Sequence, residues 1–329
     1  MALDPARAAV RSAVRPYFTS DWGARQLVAC SGGADSLALL AACVFEAHKE
    51  ACQVVGVTVD HGLQEGSDEH TARVVAQMAA LGADETASIR VTVDPGPAGV
   101  EAGAREARYA ALSQLAQHFD ASLVLLGHTL DDQAESVLLG LARGSGGRSL
   151  QGMRPFFVDD GGDVAFARPL LDLTRTQTEE ACRADGLTWW EDPQNADPRF
   201  TRSRVRHAVM PLLEQELGPG VAQALARTAE QLRDDMDLIE PFVRDARRRA
   251  EVEGGVDLAA IDGVGAAVRS RVVREAAIEA GAVASELSRR HVLAVLGLVG
   301  SPGKAVQLPG HVTAYVDGGV LRFRPTVLG

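Results

Sequence analysis

From residue 25 the chain alternates short apolar runs with longer stretches whose apolar positions recur at helical spacing. The run "QLVAC" (26–30) predicts a short buried strand, and the spacing after it predicts a helix to about residue 49. "CQVVGVTVD" (52–60), "ASIRVTV" (87–93) and "ASLVLLG" (121–127) predict three further strands. Helical spacing fills about 68–81, 99–119 and 130–143 between and after them. Strands separated by helices of this length imply a parallel sheet with both faces covered and right-handed crossovers, a Rossmann-like α/β fold. Ligands in such sheets bind beyond the carboxyl ends of the strands. The stretches "SGG" (31–33), "DHG" (60–62) and "GHTLDD" (127–132) all fall at such ends.

The rest of the chain reads differently. The first 18 residues have the spacing of a short amphipathic helix. "RGSGGRS" (143–149) is a flexible break, and 155–173 reads as a short hairpin with a tight "DGGD" turn. A helix is expected at about 174–185, then a Pro/Asn/Asp-rich loop at 189–200. Helical patterns dominate 201–252, punctuated by Pro211, Gly218 and Pro219. The expected boundary lies near 218, giving a first domain of 1–217 and a smaller, mostly helical domain of 218–329. That second domain carries helices near 264–280 and 285–298 and ends in a hairpin at "DGG".

Composition narrows the class. Hydrophobic residues make up 46% and charged residues 23% of 329, as in ordinary globular proteins, and no apolar run approaches the roughly 20 residues of a membrane span. No secretory signal opens the chain, so a cytoplasmic location is expected. The four cysteines, Cys30, Cys43, Cys52 and Cys182, form no C-x-x-C pair and read as buried thiols. The net charge of -11 speaks against a nucleic-acid partner, but the distribution speaks for one. Arginines cluster at 197–207, 244–250 and 287–291, and Lys49 and Lys304 are the only lysines. Guanidinium groups suit bidentate phosphate contacts.

The stretch "SGGADS" (31–36) stands between strand and helix. Glycines there let main-chain N–H groups approach a ligand, and the helix start adds free N–H groups and a positive dipole end. The bland alternative is a tight turn with Asp35 as helix cap. The stretch is neither a G-x-x-x-x-G-K-[ST] loop nor a G-x-G-x-x-G fingerprint. In "GHTLDDQAES" (127–136), Asp132 and Glu135 share a helix face, and Asp131 lies four before Glu135. Beside His128, these carboxylates could bind a cation, or Thr129 and Asp132 could form a capping box; the two roles can coexist. Arg105 and Arg108 share a helix face and are phosphate candidates, unless they simply pair with Glu101 and Glu106 on a solvated face. Arg202 and Arg206, four apart, fit phosphate contact, or an exposed charged helix. Trp189 and Trp190 suit base stacking or the core.

"SGGADS" resembles the PP-loop of the ATP pyrophosphatase superfamily. "VDHGLQEGSDEH" (59–70), "VEAGAREARYAAL" (100–112), "RSLQGMRP" (148–155), "RPLLDL" (168–173) and "DPQNADPRFTRSRVRHAVMPLL" (192–213) extend the likeness, in order, to the short form of the tRNA(Ile)-lysidine synthetases. Departures are Gln64, Ser136 and Ser203, where the family usually has Arg, Thr and Asn. The resemblance implies ATP-dependent adenylation of C2 of the wobble cytidine in an isoleucine tRNA with a CAU anticodon. Free L-lysine then displaces AMP. It implies a nucleotide site of Ser31, Gly32, Gly33, Ala34, Asp35, Ser36, His61 and Gly127, with magnesium on Asp35. It implies a catalytic set of Asp35, Arg105, Arg108, His128, Asp132 and Glu135, tRNA contacts at Arg202 and Arg206, and often a homodimer. A PP-loop tRNA thiolation enzyme is the alternative; it shares the G-H-x-x-D-D element but needs reactive or cluster-binding cysteines.

Overall fold

A computed structural model describes residues 4–62, 66–92, 100–144, 146–159, 161–301 and 303–326. Gln64, the end of the expected third strand at 93 and the start of the following helix at Gly99 lie outside them. The chain forms two compact units, one of 1–136 with 153–226, the other of 137–152 with 227–329.

The first unit opens with α1 (Pro5–Val14), then β1 (Arg25–Ala29), α2 (Ala34–Ala47), β2 (Gln53–Asp60), α3 (Ser67–Ala80), β3 (Glu85–Arg90), α4 (Val100–His118), β4 (Leu123–Leu126) and the first half of α5 (Leu130–Arg143), which passes into the second unit after Ser136. After α6 (Gly147–Leu150), which belongs to the second unit, come β5 (Phe156–Val158), β6 (Ala165–Ala167), α7 (Arg175–Ala184), α8 (Thr201–Arg204), a wide π turn at Val205–Val209, and α9 (Met210–Leu217). The sheet order is β3-β2-β1-β4-β6-β5, parallel throughout except for β5. The expected hairpin at 155–173 is therefore β5 and β6, and it extends the main sheet.

Side chains of successive strand residues point to opposite faces. Val28, Val54, Leu123 and Leu125 thus pack with α1, α2, α3 and α7. Leu27, Val55, Val57, Val124 and Leu126 pack on the other side with Leu112, Leu115 and Ala116 of α4 and with Phe166. Both faces are dry, as a parallel sheet requires. From β1 the chain steps to β2 and β3 on one side, then crosses through α4 to β4 on the other, so a crevice opens between the carboxyl ends of β1 and β4.

The second unit contains α10, whose helix runs Val221–Ala250, then β7 (Glu251–Val252), β8 (Gly255–Asp257), α11 (Ala266–Glu279), α12 (Arg289–Leu296), β9 (Ala305–Leu308), β10 (Val312–Asp317) and β11 (Val320–Pro325). The strands form an antiparallel sheet ordered β7-β8-β11-β10-β9. Its core is Val243, Ala246 and Ala250 of α10 against Val272, Val273, Ala276, Val295, Ala314 and Leu321. The hairpin at the "DGG" turn is β10–β11. The other three strands span two to four residues each, too short for alternation to show in the sequence. Residues 137–152 join this unit; Arg148 of that segment bonds Glu240 at 3.3 Å and Glu275 at 2.8 Å. The units divide at 226/227, inside α10, and Gly218 and Pro219 mark only the entry to that helix.

Candidate active site

The glycine loop sits at the end of β1. Cys30 N–H still donates to Val57 O at 2.8 Å, so the strand register holds to the loop's edge. Gly32 then takes φ +82, the left-handed region open to glycine, and a Cβ there would sit 2.7 Å from Val74 Cγ2. Gly33 is the N-cap of α2 and offers no side-chain cap; Asp35, in the first turn, does not cap either. The loop is braced from within by Ser36, whose Oγ accepts from Ser31 N–H at 3.1 Å and donates to Gly33 O at 2.9 Å. It is braced from outside by Trp190, whose N–H donates to Gly32 O at 3.0 Å. The Trp190 ring lies 3.9 Å from that of His70, and His70 Nε2 is 3.1 Å from Ser31 O. Trp189 packs against the apolar core. The start of α2, with Gly32, is thus a preformed anion cradle.

Across the crevice, Gly127 ends β4. A Cβ there would lie 3.1 Å from the carbonyl carbon and oxygen of Asp35 and 3.2 Å from Ser36 Cα, so glycine lets the second motif approach the loop's own backbone. In α5, Asp132 Oδ2 accepts from Thr129 N–H at 2.9 Å and Thr129 Oγ at 3.1 Å, which is the capping contact. Its other oxygen, Oδ1, faces Arg202 and Arg206. Asp131 turns away: its Oδ2 accepts from Arg175 N–H at 2.8 Å and fixes the start of α7.

Three guanidinium groups meet the carboxylates. Arg175 Nη2 lies 3.1 Å from Asp35 and 3.6 Å from Asp132. Arg202 reaches Asp132 at 3.2 Å and Glu135 at 2.8 Å. Arg206 reaches Asp132 at 2.9 Å and Glu135 at 2.6 Å. Thr178 Oγ1 also donates to Asp35. Burial pushes Asp35 up to about 6, against the pull of Arg175. Burial pushes Asp132 the same way, but Arg202, together with other neighbours including Arg175, outweighs it and holds Asp132 at about 2. Asp132 is therefore a fixed negative charge, suited to a counterion role and poor as a base.

Asp35, Asp132 and Glu135, chosen from sequence, are thus brought into one cluster. Arg202 and Arg206 join it, so their guanidinium groups face these carboxylates and not an open charged surface. Arg105 and Arg108 stand apart on α4: Arg105 lies over the Tyr109 ring, 5.0 Å from its centroid, and Arg108 Nε donates to His61 Nε2 at 3.4 Å. His61, at the end of β2, is pushed down by burial and by Arg108. Sequence reasoning missed Arg175 and Thr178. The signal was the capping box of α7, in which Thr174 Oγ accepts from Gln177 N–H at 3.3 Å. That box marks Arg175 and Thr178 as first-turn residues on one face.

His128 Nδ1 is buried without a partner, and burial pushes the ring down to about 3. The ring is neutral at pH 7. On acidification the unfolded chain, with a histidine pKa of about 6.5, takes the proton first. The contribution is intact above pH 6.5 and declines as pH falls from 6.5 toward 3. His128→Gln is expected to remove about 1 kcal/mol of the stability loss between pH 7 and 5.5, measured by urea unfolding across that range.

Asp35, one carboxylate beside the loop and already facing the Arg175 cation, is the donor type that magnesium takes together with phosphate oxygens.

Comparison with known proteins gives the family. Residues 8–213 match the PP-loop domain family. The chain is 48% identical to a tRNA(Ile)-lysidine synthase of Streptomyces coelicolor, over 91% of this chain and 84% of that one. It is 46% identical to that of Salinispora arenicola, over 98% and 95%. The U34-tRNA thiolase NcsA of Methanococcus maripaludis, solved with its [4Fe-4S] cluster, shares the fold at a TM-score of 0.56 and 17% identity, over 69% of this chain and 79% of that one. The four cysteines here are all buried and free, and the thiolation reading is not favoured. The chain belongs to the tRNA(Ile)-lysidine synthases, with residues 8–213 in the PP-loop domain family.

Proposed function

We infer that this chain uses ATP to adenylate the C2 carbonyl oxygen of the wobble cytidine in a CAU-anticodon isoleucine tRNA, and that free L-lysine then displaces AMP to give lysidine. The observation that carries the reading is the Asp35–Arg175–Asp132 bridge, which joins the anion cradle after β1 to the acidic pair on α5. In the first step the cytidine oxygen bonds to the α-phosphorus and pyrophosphate leaves. In the second the lysine amine bonds to C2 and AMP leaves. A carbonyl oxygen is a weak nucleophile, so catalysis rests on positioning and charge neutralisation. The N–H groups of the loop and of the first turn of α2 bind the departing pyrophosphate. Asp35 would hold magnesium, which neutralises phosphate charge when bound. Asp132 and Glu135 recruit the lysine ammonium, whose amine must shed a proton before it attacks. Arg105 and Arg108, exposed on α4, are left for the α-phosphate or the tRNA. A cytoplasmic location and a homodimeric assembly belong to the same reading; among the described residues no helix is long and apolar enough to cross a membrane.

The nucleotide products test it. With tRNA and magnesium, the chain should release AMP and pyrophosphate, and lysine should accelerate turnover. Release of ADP would reject an adenylyl transfer, and indifference to lysine would favour a thiolase.

A further inference from the structure

The acidic pair assigned to lysine is already saturated. Glu135 Oε1 accepts from Arg206 Nε at 2.6 Å, and Oε2 accepts from Arg202 Nε at 2.8 Å and Arg206 Nη2 at 2.9 Å. Asp132 Oδ1 accepts from Arg206 Nη2 at 2.9 Å and Arg202 Nη2 at 3.2 Å, while Oδ2 is taken by Thr129. Asp132 is 7% and Glu135 1% exposed. The cluster is also neutral: Asp35, Asp132 and Glu135 stand against Arg175, Arg202 and Arg206. A fourth cation entering a buried, balanced cluster is strongly opposed, so an ammonium can bind the pair only where a guanidinium gives way. Arg202 is the one placed to do so. Its side chain is 31% exposed against 18% for Arg206, and it makes the single bond to Glu135 where Arg206 makes two. A triphosphate in the cradle brings several negative charges beside the cluster, and guanidinium groups favour phosphate oxygens in bidentate geometry.

We propose that Arg202 is a positioning residue that couples the two half-sites: it closes the acidic pair in the nucleotide-free protein and yields Asp132 and Glu135 to lysine when nucleotide phosphates draw it away. This rests on the assignment of Asp132 and Glu135 to lysine. The coupling is reciprocal, so lysine strengthens nucleotide binding by the same factor.

Calorimetric titration of the full chain with L-lysine, in magnesium, with and without the α,β-methylene analogue of ATP, tests the proposal. The analogue should tighten lysine binding about 10-fold or more, and lysine should tighten analogue binding equally. In Arg202→Gln, lysine should bind the nucleotide-free protein as tightly as it binds the wild-type nucleotide complex, leaving a dependence within about twofold. Arg202→Lys, which keeps the charge, should retain the nucleotide dependence; a merely structural role would not be rescued in this selective way. Should Arg202→Gln fail to fold, Arg202→Met takes its place; a nucleotide dependence that stays about 10-fold or more in the folded, uncharged variant overturns the role of Arg202. Equal lysine affinity with and without the analogue overturns the coupling; if Glu135→Gln still abolishes lysine binding, the lysine assignment survives. No lysine binding even with analogue and tRNA present overturns that assignment and the coupling with it.

Discussion

Asp35→Ala lowers AMP transfer to tRNA by roughly 10²–10³-fold, the scale of removing one electrostatic group aimed at developing charge. The residue stands in the first turn of α2 beside the cradle, makes no cap, and is held by Arg175 and Thr178. Thr178 keeps its bond to Arg175 O at 2.7 Å and Arg175 keeps Asp132, so the loss should appear in kcat with the fold intact. Binding of tRNA, measured by filter retention, should stay near wild type, because a carboxylate offers the RNA phosphates no attraction that its removal would take away. Loss of tRNA binding with normal adenylate chemistry would reject the role.

Glu135→Gln has the second large effect. The substitution keeps shape and removes the charge that faces Arg202 and Arg206. Removing one partner of a buried charge pair costs about 2–5 kcal/mol at a binding site, which is a rise of about 30-fold or more in KM for lysine. KM for ATP should move within about threefold. Stability falls too, by about 3–5 kcal/mol, because a buried guanidinium loses its counterion; urea unfolding separates that loss from the kinetic one. Asp132→Asn should show the same selectivity. Unchanged lysine kinetics in both variants would remove the pair from the amine site.

What the sequence made legible follows from range. Gly32, Gly33, Asp35 and Ser36 lie within one βα turn, and Asp132 and Glu135 within one helical turn, so spacing alone joined each set. The carboxyl-edge rule then placed the two sets together, because the strands were read correctly in order. Arg202 and Arg206 read as tRNA or phosphate contacts, or else as an exposed charged face, and their carboxylate partners stayed hidden because they lie 67 to 74 residues away. Arg175 was hidden for the same reason, and its partner Asp131 is 44 residues upstream. The division between the units escaped notice because a continuous helix crosses it, with none of the composition change that a linker shows. The four-residue β9 and the still shorter β7 and β8 carried too few positions to announce a sheet.

The most direct measurement is the fate of lysine. The chain is incubated with ATP, magnesium, labelled L-lysine and an isoleucine tRNA transcript carrying a CAU anticodon, and the RNA is digested and read by mass. The account predicts one lysine joined to the wobble cytidine for each AMP released. RNA free of lysine despite ATP consumption, or lysine incorporated without AMP, would contradict it.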